Sequence, residues 1–183
     1  MIPDREEALA LHERYHSDPV IVEHCLAVAE VADILASGYV RAGRSVDSSV
    51  VQAAALLHDI GRSRGHTVRH GLEGARILES EGVDSSVVEA VRKHVGAGIS
   101  SEEAKTLGFP DHDYIPRTRE ERIVCFADKM VDSNRVRPFD GEVKRFVKKG
   151  HDVPRLLALK KEIEDDLGED PERLIFDKIK ESH

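Results

Sequence analysis

Apolar residues in this chain recur every three or four positions, the spacing of helices that bury one face. The punctuation agrees. Asp18 before Pro19 is a favoured cap and first-turn pair, and predicts a helix through about Ser37, stopped by Gly38. Asp47 opens a second helix that reaches His58-Asp59 and ends at Gly61. His70 to Ser80 is a third, closed by Gly82, and Asp84 caps a fourth that runs to Val95. Ser100-Ser101-Glu102-Glu103 and Thr118-Arg119-Glu120-Glu121 are capping boxes, the first for a short helix ending at Gly108 and the second for a helix through Asp132. Phe109 to Pro116 reads as a loop, residues 4–16 as a further helix, and the charge-rich stretch after Pro138 as two or three amphipathic helices. No long alternating run argues for a sheet, so the expected fold is all-α.

Composition narrows this picture. A chain of 183 residues is most simply one domain, with a C-terminal helical extension from about 138 to 183 where the composition shifts toward Lys, Glu and Asp. Aromatics are 4% and Trp is absent, so the core has to be aliphatic. The net charge of -8 and pI near 5.7 disfavour nucleic acid and anionic membranes, which call for a basic face. No apolar run approaches a membrane span, and the first residues lack the pattern of a signal peptide. Cys25 and Cys125 have no CxxC spacing, which suggests reduced thiols and a cytoplasmic location. One Asn, one Gln and 34% charged residues lean thermophilic. The echo of Val46-Asp47-Ser48-Ser49 in Val83-Asp84-Ser85-Ser86 is read as repeated capping chemistry, not as a solenoid.

The candidate chemistry centres on His58-Asp59-Ile60-Gly61, which follows the apolar run from Val50 to Leu57. An unpaired carboxylate is costly in such surroundings. A divalent ion offsets that cost, and mixed imidazole and carboxylate ligands suit Zn, Fe, Mn, Ni or Co. His24 lies on the stripe Val20, Val28, Val31, Leu35, where a satisfied core histidine is the plainer alternative. Asp128 lies on the stripe of Val124 and Val131, and aspartate is seldom buried without a partner. His94 shares a face with Val87 and Val91. Four inward metal-capable positions on separate helices make a bundle-type metal site a better account than coincidence.

The pattern His24, His58-Asp59, Asp128 resembles the H…HD…D signature of the HD superfamily of metal-dependent phosphohydrolases. The runs His70-Gly71-Leu72-Glu73-Gly74-Ala75, His94-Val95-Gly96-Ala97-Gly98 and Phe126-Ala127-Asp128 make it similar to the dinuclear branch, which includes bacterial symmetrical diadenosine tetraphosphate hydrolases and uncharacterised archaeal HDIG proteins. The resemblance covers about residues 20–135. It implies an HD-domain helical bundle in which His24, His58, Asp59 and Asp128 hold one ion, and Asp59 bridges to a second held by His70 and His94. The cofactor it implies is a pair of divalent ions (Fe, Mn, Zn, Ni, Co or Mg). Two ions about 3.5–4 Å apart activate water for attack on phosphorus.

On this reading the chain is a phosphohydrolase of a phosphate ester or anhydride, expected to be that of a nucleotide. Asp59 and His66 are the catalytic candidates. Arg62, Arg64 and Arg69 stand as a phosphate clamp, and Asp132 and Arg135 as residues lining the cleft. A solvated loop is the plainer account of His66 and the arginines, and a helix end running into a loop that of Asp132, Asn134, Arg135 and Arg137. The connection from Asp59 to His70 is shorter than in the tetraphosphate hydrolases, so the pocket wall for a second nucleoside is expected to differ. The alternative is a metal- and nucleotide-binding sensor or scaffold without turnover. A small phosphorylated molecule is the expected partner, no membrane is, and a homodimer is compatible with the sequence.

Overall fold

The computed structural model describes residues 1–182. Helices α1 (Arg5–Arg14), α2 (Pro19–Arg41) and α3 (Ser48–Leu57) lead to a 3-10 turn at Ile60–Arg64. Then come α4 (His70–Ser80), α5 (Ser85–Arg92), α6 (Ser101–Thr106) and α7 (Arg119–Lys129). A hairpin of β1 (Val131–Asp132) and β2 (Arg135–Val136) precedes α8 (Phe139–Lys149), α9 (Val153–Leu167) and α10 (Pro171–Glu181). The fold is all-α apart from the hairpin. No helix among the described residues is long and apolar enough to cross a membrane.

The starts of the elements fall where the caps put them. Asp18, Asp47 and Asp84 each accept a backbone N–H at the first turn of α2, α3 and α5, and both capping boxes form. The two Asp-Ser-Ser copies are the same capping device used twice.

The ends differ from expectation in four places. Helix α2 runs through Gly38 to Arg41, because Gly38 is a docking point and not a stop: a Cβ there would stand 2.8 Å from Leu174 Cδ2 and 3.0 Å from Leu167 Cδ2. Helix α3 ends at Leu57, not Gly61, since the 3-10 turn has to dock against α4. A Cβ on Gly61 would lie 2.0 Å from the His70 carbonyl oxygen. Helix α5 ends at Arg92, which leaves His94 just beyond it. Helix α7 ends at Lys129, short of Asp132, and the chain turns into the hairpin, with Val131 opposite Val136 and Asp132 opposite Arg135.

One core, mostly aliphatic but taking in Tyr39, Phe126, Phe139 and Phe146, runs from Ala8 on α1 to Ile175 on α10. Helix α2 packs along α3 and α7, and α3 also meets α1 and α5. Helix α4 lies on the 3-10 turn and α5, while α9 and α10 cover α7 and α2. The inner ends of α2, α3, α4, α5 and α7 therefore converge.

Candidate metal centre

All six ligand candidates meet at that convergence. His24 comes from α2, His58 and Asp59 from just after α3, His70 from the first position of α4, His94 from just past α5, and Asp128 from α7. Asp59 divides the cluster. Its Oδ2 faces His58 Nε2 at 3.8 Å and His24 Nε2 at 4.0 Å, while its Oδ1 faces His70 Nε2 at 3.3 Å and His94 Nε2 at 3.4 Å. Asp128 Oδ1 joins the first half, 3.0 Å from His24 Nε2 and 3.5 Å from His58 Nε2.

Each imidazole is turned inward by its other nitrogen. Nδ1 of His24, His58, His70 and His94 donates to the carbonyls of Ser133, Ala55, Thr67 and Val91 at 2.6–2.8 Å. A carbonyl only accepts, so Nδ1 carries a hydrogen and Nε2 points into the cluster. This is the arrangement that orients metal-ligating histidines. The acceptor for His24 is supplied by the hairpin, where Ser133 sits in the left-handed region at φ 57°.

Two observations test whether the residues present suit a cation. His58 Nε2 and Asp59 Oδ1 are buried without a hydrogen-bond partner, and buried polar atoms are seldom left so. His70 and His94 also approach Nε2 to Nε2 at 3.1 Å, lone pair toward lone pair. Electrostatics divide the cluster: burial lowers every ring, but Asp128 beside His24 and Cys25 beside His58 outweigh it and raise those two. Burial, with His94 beside it, pushes His70 down to about 3, and burial lowers His94 too, so both rings are neutral and able to ligate. Burial opposes charge on Asp59 and Asp128, yet His58 beside the first and Lys129 beside the second hold them well below the usual carboxylate range. Three overlapping groups of His and Asp, with ligand atoms within 4.8 Å of one another, cover all six residues. The donor set fits divalent ions.

A cleft of about 950 Å³ opens over the cluster and is lined by His24, His70 and Asp128. Of the other candidates, Arg62, His66 and Asp132 line it; Arg64, Arg69 and Arg135 do not. Arg62 donates from Nε to Asp59 Oδ2 at 2.6 Å, and His66 is exposed at the rim. Arg64 lies 3.9 Å from Glu73 and over the Tyr15 ring, whereas Arg69 donates to the Leu107 carbonyl and stacks on Phe109.

The cleft also holds residues that sequence reasoning missed: Lys129, Arg145, Lys149 and Arg155. Lys129 had one available signal, its place next to Asp128. The other three lie in the charge-rich C-terminal stretch, where no motif separates a cleft residue from a solvated one.

Residues 21–131 match the HD domain family. The chain belongs to the HD-domain family. It is 43% identical over 162 residues to an uncharacterised protein of Methanocaldococcus jannaschii, covering 86% of this chain and 95% of that one. It is also 36% identical over 176 residues to a tRNA (cytidine(56)-2'-O)-methyltransferase of Thermoplasma volcanium, covering 95% of this chain and 51% of that protein, so it spans about half of that relative's length. Among solved structures it is similar to the HD domain of the phosphodiesterase PgpH from L. monocytogenes, with a TM-score of 0.58 and 17% identity over 94% of this chain and 98% of that one. The same HD domain has been solved in complex with cyclic-di-AMP. At that identity the likeness is one of fold. It matches the all-α HD bundle that the motif implied.

Proposed function

We propose that this HD-domain protein is a metal-dependent phosphohydrolase that cleaves a phosphate ester or anhydride of a nucleotide. The observation that carries the reading is the division of Asp59, with one oxygen toward His24 and His58, which Asp128 also faces, and the other toward His70 and His94. Divalent ions held by these two sets would acidify a water molecule and offset the negative charge that grows on a phosphoryl group. The protein's own part is orientation. Four backbone carbonyls aim the imidazoles, and Arg62 braces Asp59 at the cleft wall, where a guanidinium is suited to phosphate oxygens. His66 at the rim is placed to meet a substrate entering the cleft. We place the HD core at about 18–135, with the C-terminal helices an extension that lends Arg145, Lys149 and Arg155 to the cleft.

The cyclic-di-AMP complex of the PgpH domain supports a nucleotide as the class of ligand. A second reading, a phosphate ester at the end of an RNA, is favoured by the match to a tRNA methyltransferase and opposed by the net charge of -8. One experiment separates the readings: protein reloaded with Mn, Co, Ni or Mg, assayed against mononucleotides, cyclic and linear dinucleotides and short oligoribonucleotides. Phosphate release from a nucleotide supports the proposal, and turnover confined to RNA supports the second reading. Tight nucleotide binding with no turnover under any metal leaves a sensor or scaffold.

A further inference from the structure

Lys129 closes α7 one residue after Asp128, with a side chain only 7% exposed. An ammonium that far from water has to be paired and hydrogen-bonded. It donates to Asp128 Oδ2, and at 3.2 Å to the backbone carbonyl of His94. The same carbonyl takes a 3.5 Å contact from the Cys125 thiol, so α7 grips the end of α5 at this point.

The two contacts reach different halves of the cluster. With Oδ2 committed to Lys129, Asp128 turns only Oδ1 toward His24 and His58. The carbonyl held by the same ammonium belongs to His94, whose ring faces Asp59 Oδ1 on the other side. We propose that Lys129 is a positioning residue: it presents Asp128 through a single oxygen and fixes the chain at His94 at the matching distance, so that both halves of the centre hold their shape together. This rests on the metal-binding reading of the cluster. An ammonium beside a cation site is otherwise a disadvantage, because it repels the ions. Its two directed hydrogen bonds are what offset that repulsion.

The sign of the effect makes the inference testable. If Lys129 acted only through its charge, removing it would tighten both ions. If it positions, Lys129→Met frees Asp128 to offer both oxygens, so the ion on the His24–His58 side is retained. The His94 carbonyl then loses its donor, and the ion on the His70–His94 side weakens by about 10–100-fold, the range for losing a partner that orients a ligand. The experiment is metal stoichiometry and competitive titration with Mn or Co on wild type and Lys129→Met, with kcat and KM measured on the same samples. The expected result is one tight and one weakened ion, with kcat reduced and KM within about twofold of wild type, the pattern of lost transition-state geometry. Lys129→Gln keeps a donor and most of the length without the charge. The His94 carbonyl then keeps a donor, so Lys129→Gln holds the second ion more tightly than Lys129→Met, and Lys129→Leu stands in if methionine prevents folding. Two ions bound as tightly as in wild type, or more tightly, in the variant without a donor overturn the inference. A wild type that binds no ion instead removes the metal-binding reading beneath it.

Discussion

His70 and His94 face each other Nε2 to Nε2 at 3.1 Å, and neither nitrogen has a hydrogen to give, because each Nδ1–H is already donated to the carbonyl of Thr67 or Val91. Two lone pairs so close repel, and Asp59 Oδ1 adds its negative charge about 3.3–3.4 Å from both. These three groups could together hold a divalent ion, which would offset that repulsion.

Metal should therefore stabilise the fold. An ion that binds only the folded chain adds about 2.7 kcal/mol at a hundredfold excess over its Kd. Thermal unfolding of chelator-treated and Mn- or Co-reloaded protein checks this. The midpoint should rise with metal concentration, and equal midpoints across the titration would sink the metal centre.

Asp59 turns one oxygen toward each half, so Asp59→Ala should lose both ions and activity together. His70→Ala and His24→Ala should each keep one ion. Asp59 follows α3 and contributes little core volume, so the helical circular dichroism of the variant should match wild type. Elemental analysis decides, and Asp59→Ala with two ions would refute the bridging role.

Gly61→Ala tests how the 3-10 turn is docked. The new Cβ would meet the His70 carbonyl at 2.0 Å and the Gly74 nitrogen at 2.4 Å, both backbone atoms that cannot swing aside. Overpacking of this kind costs about 1–3 kcal/mol and sometimes more. The expected outcome is a clear fall in melting temperature together with weaker binding on the His70–His94 side, because the start of α4 has to move. A variant with wild-type stability and two ions would contradict the close approach.

The arginines should separate. Arg62 lines the cleft and braces Asp59, so Arg62→Ala should raise KM for a phosphorylated substrate at least severalfold. Arg64 is about half exposed and turned toward Glu73 and Tyr15, so Arg64→Ala should leave kinetics unchanged and stability within about 0.5 kcal/mol. Steady-state kinetics on the two single variants distinguishes them, and equal effects would mean that the cleft boundary is misplaced.

Much of this site was legible in the chain because its ligands sit at helix ends and inward stripes that obey local rules. Asp47 and Asp84 cap α3 and α5 in the same way, and each helix delivers a histidine just past its last turn. What was not legible involves partners far apart in sequence. The hairpin from Val131 to Val136 offers only two short β-branched flanks, too little for a strand signal, yet its Ser133 carbonyl holds His24 across 109 positions. Gly38 carried the mark of a helix stop, and only the packing of Leu167 and Leu174 shows that it is a place for side chains to dock.

By itself the sequence determined that the chain is helical, that its core is mostly aliphatic, and that His24, His58, Asp59, His70, His94 and Asp128 are candidates for a metal site. Caps, period and side-chain chemistry are local properties, and they survive any rearrangement of the elements. Tertiary structure alone decided which oxygen of Asp59 meets which histidines, that Lys129 ties Asp128 to the end of α5, and that Arg62 reaches the cleft while Arg64 and Arg69 are engaged elsewhere. Those outcomes depend on where five helix ends converge, and that is set by the packing of aliphatic faces that carry no chemistry of their own.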